Sequence, residues 1–463
     1  MDEESTYIKL KGLSKSNSLQ REGWSDMKTR KKFTGLIAAG LTLALVMSGC
    51  SSGTKDGGTA GSAATDKPKT ENAGGSPVEI TFWNMFGGGE GDFVDQIIKG
   101  FNDSQKEVTV KQLRLESNEY YAKLGTALSS SKGPDVAVAH VDRISPFVKA
   151  KQIIPVDELA NKIGFDLKQI TESNLKSVTY DGKPYAVPLD THFHMFYYNK
   201  DILKKADLLN EDGTPKLSEM TPEGFKKTLA DIHAKVPDVQ ALAVNTPYFQ
   251  EPFLNLYYEA GGDILNPDMT KAAINNEKAL KVLNFYLDLY KNKYSDLNDK
   301  TPWDTLHNGK AAFWFGGVWE AGLLLGDQSL NIGAMPLPPI FGSQTHWASS
   351  HTLVIPSYVQ PEKQEAAAKF MKYFSEVGGK TWGQAGHVPA NSIVTASEEY
   401  KSLPYRSEFI EAQKTVKFAP PTDKYTTIIT TISESLQNII FGNEKPEDGL
   451  TNMEKQINEV LDN

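Results

Sequence analysis

The residues "VEITFWNMFGGGEGDFVDQIIKGF" (Val78–Phe101) decide what kind of fold this chain can adopt. Val78–Phe86 is dense in β-branched and aromatic residues and reads as a buried strand. A Gly-rich turn follows, with Asp92 expected as the N-cap of the next helix. Phe93, Val94, Ile97, Ile98 and Phe101 then fall on one helical stripe. Further on, "EVTVKQLRL" (Glu107–Leu115) alternates as a strand, "YYAKLGTALSS" is helical, and "PDVAVAH" (Pro134–His140) is a third strand. Strands separated by single helices at this spacing predict a parallel sheet with right-handed crossovers. Beyond Val141, helices are punctuated by short strands. "YDGKPYAVP" (Tyr180–Pro188) reads as a hairpin turned at Asp181–Gly182. "HWASSHTLVIP" (His346–Pro356) is a strand candidate, "EKQEAAAKFMKYFSE" a helix, and the C-terminal segment from Tyr425 two helices. No internal repeat is visible.

With 463 residues the chain should hold two or three globular units. A hydrophobic content of 39% supports real cores, and a net charge of −9 argues against a nucleic-acid partner. The one cysteine, Cys50, rules out both a disulfide framework and a cysteine metal site.

Cys50 ends a recognisable signal. In "MKTRKKFTGLIAAGLTLALVMSGC" (Met27–Cys50), Lys28, Arg30, Lys31 and Lys32 precede an apolar run from Leu36 to Met47. That run is too short for a comfortable membrane span, which needs about 20 residues. Residues 1–26 lack such a pattern and are expected to precede the native start at Met27. Residues 51–76 are rich in Gly, Ser, Thr and Lys and read as a flexible tether.

"FGGGEGD" (Phe86–Asp92) invites a phosphate-loop reading, but it lacks both the Lys-Ser/Thr ending and G-x-G-x-x-G spacing. Aromatic residues cluster in "TFWNMF", "KAAFWFGGVWE" (Lys310–Glu320), "THWASSH" (Thr345–His351) and "TWGQAGHVPAN" (Thr381–Asn391). A single Trp is most simply core filling. Four such contexts together point to a ligand cleft, since flat aromatic faces suit sugar C–H faces and carboxylates or amides take up hydroxyls.

Neither G-x-S-x-G nor H-E-x-x-H occurs. The case for catalysis rests on Asp190, His192 and His194, at D-x-H-x-H spacing in "PLDTHFHMFYYNKD". On an extended strand these three share one face, with Thr191, Phe193 and Met195 on the other. They define an alternative reading, a secreted metal-assisted hydrolase using Asp190, His192 and His194. The remaining histidines, such as His140, His351 and His387, show no ligand-like spacing, so neither a metal nor another cofactor is expected.

Several stretches, taken in order, resemble the extracellular solute-binding proteins of carbohydrate ABC importers, the family of maltose-binding protein. They are "PDVAVAHVDRISPFVKAKQIIPVDEL", "GKPYAVPLDTHFHMFYYNKDIL", "GKAAFWFGGVWE" and "IGAMPLPP…HTLVIP…KQEAAAKFMKYF", and the similarity runs from about Val78 to the C-terminus. The segment ending at Cys50 resembles a bacterial lipoprotein signal, with Met47 where Leu is usual. That resemblance implies a diacylglyceryl anchor on Cys50 at the outer face of the cell membrane.

The family resemblance implies an α/β, two-lobe periplasmic-binding-protein-like (type II) fold. Its lobes are discontinuous, joined by a hinge, with the ligand cleft between them. One lobe would take residues 77–189 and 347–395, the other 193–346 and 396–463. His192 matches a position where a glutamate reaches the sugar in maltose-binding protein, so the hydroxyl pattern read here should differ. Asp142 matches a sugar-binding aspartate, Trp319 a stacking tryptophan, and Trp83 or Asn84 a loop that contacts ligand. The expected roles are stacking by Trp83, Trp319 and Trp347, and hydrogen bonds from Asp142, Asp190, His192, Glu320 and His351. The expected protein is a non-enzymatic, monomeric receptor that passes a sugar or short oligosaccharide to permease subunits. A receptor for peptides or phosphate esters is the remaining option.

Overall fold

The computed structural model describes residues 76–325, 327 and 329–463. The signal segment, Cys50 and the tether before residue 76 lie outside the described residues. Strand β1 (Val78–Asn84), helix α1 (Gly88–Ser104), β2 (Val108–Arg114), α2 (Ser117–Ser130) and β3 (Val136–His140) follow in the expected order. β1 lies parallel to both β2 and β3. The expected cap at Asp92 is a correction: α1 begins at Gly88 behind Gly87, and Asp92 sits exposed inside it. The helix starts a turn early because Glu90, favourably placed in the first turn, is tied down from outside by His387.

The hairpin forms between Thr179–Tyr180 and Lys183–Pro184, with Asp181 at φ 50° and Gly182 at φ 78°. Two positive φ angles in a two-residue turn match the twist of the flanking strands. Then come β4 (Val187–Pro188) and β5 (Asp190–Asn199), every residue of which is buried. Aromatic and β-branched residues favour extended backbone in β5. It stops where the Asn199 side chain accepts hydrogen bonds from the N–H groups of Asp201 and Ile202, capping the helix Lys200–Lys205.

Next along the chain are β6 (Gln240–Ala243), α3 (Gln250–Glu259), β7 (Ala311–Gly317) and β8 (Ile332–Met335). The strand expected at His346–Pro356 is two strands, β9 (His346–Ser349) and β10 (His351–Val354), broken at Ser350. They are followed by α4 (Pro361–Tyr373), α5 (Gly379–Ala385), β11 (Val388–Pro389), β12 (Val416–Lys417), α6 (Tyr425–Ile440) and α7 (Pro446–Asp462). No helix among the described residues is long and apolar enough to cross a membrane.

The break at Ser350 separates two sheets. β10 joins the first, in the order β2-β1-β3-β10-β4, running antiparallel to β3. The sheet is therefore mixed rather than purely parallel. β9 joins the second, in the order β12-β9-β5-β7-β6, with β8 and β11 also pairing with β5. One core gathers residues from 80–189 and 353–390, and another residues from 196–340 and 425–457. β5 is two-faced: Phe196 and Tyr198 enter the latter core, while Phe193, Met195 and Tyr197 enter a third. Asp190, His192 and His194 thus share the face of Phe196 and Tyr198, as strand alternation requires. Each large apolar side chain so buried contributes about 1.5–3 kcal/mol.

Candidate functional site

A cavity of about 430 Å³ is lined by residues from both sheets. Met85 and Phe86 follow β1, and His140, Asp142 and Arg143 end or follow β3, at the carboxyl ends of parallel strands where open α/β sheets take ligands. His192 on β5, Trp347 on β9, His351 on β10 and Trp319 after β7 complete the wall, with Gln250 and Glu251 from the start of α3.

The two indoles are set by their neighbours. Trp319 folds back over Gly317, where an added Cβ would lie 2.2 Å from the indole. That close approach is why "FGGVWE" needs glycine there. The His194 ring lies 5.7 Å from the Trp319 ring and 5.5 Å from the Trp347 ring, centroid to centroid. His194 is itself held by Asn255, whose Nδ2–H donates to Nδ1 at 2.7 Å, and by Glu251 at 3.3 Å. The backbone N–H of Trp347 donates to the same Asn255 through Oδ1 at 3.1 Å. His194 is thus a prop between the two tryptophans.

Asp190 has a different task. It is fully buried, and its Oδ1 accepts from His192 Nδ1–H at 3.1 Å and from the His351 backbone N–H at 3.0 Å. Its Oδ2 accepts from His351 Nδ1–H at 2.8 Å and Trp382 Nε1–H at 2.7 Å, and lies 3.5 Å from His387 Nδ1. Burial raises its pKa, but the facing imidazoles of His351, His387 and His192 outweigh that and hold the carboxyl well below its usual range. His387 in turn donates Nε2–H to Glu90 at 2.7 Å. Burial of Glu90 is likewise outweighed, by the hydrogen bond and charge of His387, and its pKa is lowered.

Burial, with His351 and His192 adding to it, pushes His140 well below the usual imidazole range. His192 is lowered by burial and His351 against the pull of Asp190. Glu320 is pushed up to about 7 by burial and by the charge of Glu90. Burial also raises Asp142, opposed by Arg143 at 3.6 Å. Arg143 is anchored by donating to Thr426 Oγ1 at 3.1 Å, and its guanidinium lies 4.9 Å from the Tyr121 ring centre.

Of the residues singled out from sequence, Asp142, His192, Trp319, Trp347 and His351 line the cavity together. Asp190 stands behind His192 and His351, and Glu320 follows Trp319 outside the lining. Trp83 and Asn84 are also outside it. Trp83 packs against the core around β1, and Asn84 is buried, donating to Gln112 Oε1 at 3.1 Å. Met85, Phe86 and Glu90 occupy the cavity wall beyond them. The D-x-H-x-H set does not act as a unit, because His194 belongs to Asn255 and Glu251 while Asp190 gathers His351 and His387 instead. Residues the sequence did not single out are Tyr121, Glu90, Gln250, Glu251 and Trp382. The nearest signal for the last was the Trp-Gly context of "TWGQAGH".

The chain matches the family of bacterial extracellular solute-binding proteins over residues 96–407, more than half its length. The arabinooligosaccharide-binding protein of Bacillus subtilis is 25% identical over 392 residues, 78% of this chain and 81% of that protein. The maltodextrin-binding protein MdxE of the same organism is 23% identical over 342 residues, 71% of this chain and 78% of that one. Among solved structures, the GacH receptor of Streptomyces glaucescens, studied unliganded and with acarbose, superposes with a TM-score of 0.74 at 21% identity. That match covers 84% of this chain and 99% of the receptor. The shared fold is the two-lobe α/β architecture of periplasmic binding proteins, and the chain belongs to the bacterial extracellular solute-binding proteins.

Proposed function

We propose that this protein is the membrane-tethered receptor of an ABC importer, capturing a sugar or short oligosaccharide in the cavity and delivering it to permease subunits. The observation that carries this reading is the pairing of two propped indoles, Trp319 and Trp347, with hydroxyl-binding groups in one cavity. A volume of about 430 Å³ is in the range that holds small organic ligands. Trp319 and Trp347 would stack on sugar faces, while Asp142, His192, Gln250, Glu251 and His351 would exchange hydrogen bonds with hydroxyls. Asp190 and Glu320 would act from behind this wall, and Trp83 and Asn84 through the loop after β1. The names of the relatives, binders of arabino-oligosaccharide and maltodextrin, support the ligand class.

The lobes in this reading are residues 77–189 with 347–395 and residues 193–346 with 396–463, closing on the ligand by bending at the crossing segments. Acyl chains on Cys50 would hold the protein at the outer membrane face as a monomer, and it would perform no catalysis. Thermal melting against a panel of arabino-, malto-, manno- and chito-oligosaccharides, peptides and phosphate esters tests the ligand class. A raised melting temperature with at least one sugar is expected; shifts confined to peptides or phosphate esters would overturn it.

A further inference from the structure

Asp190, His192, His351 and His387 each offer one ligand-type atom, and these atoms all lie within 4.8 Å of one another. The four come from β5, β10 and the turn before β11, and all are buried. Asp190 accepts from His192, His351 and Trp382, but one fully buried atom of the set has no partner. Glu90 accepts Nε2–H of His387, so in the neutral ring Nδ1 keeps its lone pair. His387 is fully buried, and its Nδ1 makes no hydrogen bond. It lies 3.5 Å from Asp190 Oδ2, itself an acceptor. Two lone pairs turned on each other repel, and a buried nitrogen left unsatisfied costs about 1–3 kcal/mol.

A cation between them removes the conflict. Ligand atoms about 2.0–2.2 Å from a tetrahedral zinc ion stand roughly 3.3–3.5 Å apart. The Asp190–His387 pair at 3.5 Å matches this, and the rest of the set, within 4.8 Å, would draw in on binding. The carboxylate of Glu90 behind His387 is also how a metal-ligating imidazole is oriented and its tautomer set. Gly386 makes the turn that presents His387, with φ 124° and room for no side chain, since a Cβ would meet the Val318 carbonyl at 2.2 Å.

We propose that Asp190, His192, His351 and His387 form a binding site for one divalent zinc-type ion at the floor of the cavity, oriented by Glu90. Three imidazoles and one carboxylate are the donor set that suits zinc rather than calcium or magnesium. For Nδ1 of His192 and His351 to ligate, the proton each ring now donates to Asp190 moves to its own Nε2, a change of tautomer that leaves each imidazole neutral and releases no net proton. Because His192 and His351 line the cavity, the ion would stand against whatever solute is bound. The sequence-based expectation of no metal rested on spacing along the chain, whereas this set is assembled across three segments.

The test uses the full-length chain, purified without a histidine tag and stripped with a chelator. Zinc is titrated against a chromophoric competitor, and cobalt(II) is added separately to read its visible spectrum. One ion per chain and the intense absorption of four-coordinate cobalt are expected. Glu90→Gln should weaken zinc binding by about 10–100-fold, and His351→Ala and His387→Ala by more. The control His307→Gln, at a half-buried histidine outside the cluster, should not. Failure to bind a stoichiometric ion, or unchanged affinity in His351→Ala and His387→Ala, would overturn the site. Sugar-induced melting shifts of the stripped protein are read separately, so that loss of the metal site and loss of the receptor reading remain distinct outcomes.

Discussion

His351 meets Asp190 twice across 161 residues of chain, donating its backbone N–H to Oδ1 at 3.0 Å and its Nδ1–H to Oδ2 at 2.8 Å. The contact joins β10 of the first sheet to β5 of the second, at the point where the wall of the cavity passes from one to the other. Beside His192, Trp382 adds a further donor to the same carboxylate from α5, at 2.7 Å.

Trp382→Phe keeps an aromatic ring but deletes that indole N–H. Hydrogen bonds to buried charged groups contribute about 1.5–3 kcal/mol, so the variant should lose stability of that order. Equilibrium urea unfolding reads it: the midpoint should fall with little change in slope. An unmoved midpoint would show that the indole contributes nothing to Asp190.

Gly317→Ala places a methyl group where the Trp319 indole now lies, so the ring must leave its seat against β7. The backbone at Gly317, with φ −69°, accepts alanine. Folding should therefore survive while sugar affinity falls by about tenfold, as expected for losing part of one stacking face. Calorimetric titration beside a melting curve separates the two effects. Wild-type affinity in this variant would mean Trp319 does not stack on the ligand.

Glu320 supplies a pH signature. Its carboxyl is raised to about 7 by burial, then by Glu90, with a smaller push from Asp304 and an opposing hydrogen bond from Trp319. A carboxyl raised on folding contributes stability that is complete below its unfolded value near 4.5 and lost as pH climbs through 7. Glu320→Gln, fixed in the neutral form, should melt higher than wild type at pH 8 and no higher at pH 4.5. A difference independent of pH would contradict this assignment.

Cys50→Ser should move the protein from the membrane fraction to the medium and abolish its labelling with fatty acid, with sugar binding retained. Retention of the variant in the membrane would show that the apolar run before Cys50, rather than acylation, anchors the chain.

What could be read in the sequence divides along physical lines. The opening strand–helix–strand order was legible because its pattern is local: apolar residues alternate in Val108–Val110 and fall on a helical stripe from Phe93 to Phe101. Strand β5 was legible in outline, since alternation put Asp190, His192 and His194 on one face. Their partners were not. Asn255 claims His194 across 61 residues, and Glu90 holds His387 across 297, contacts set by sheet order and carrying no local signature. The break at Ser350 was hidden for a similar reason. "HWASSHTLVIP" is uniformly strand-like, and only the competition of two sheets for its halves divides it. At the first strand, Trp83 and Asn84 point into existing contacts, and Met85, Phe86 and Glu90, a few residues on, reach the cavity instead.

The most direct measurement is a tryptophan fluorescence titration of wild type, Trp319→Phe and Trp347→Phe with the oligosaccharide giving the largest melting shift. Both indoles line the cavity, so a sugar stacked on them should change wild-type emission saturably, and each substitution should remove part of that change. Losing most of one stacking face should weaken binding by about tenfold to a hundredfold. Saturable binding whose signal and affinity are the same in all three proteins would place the sugar elsewhere and contradict the receptor site described here.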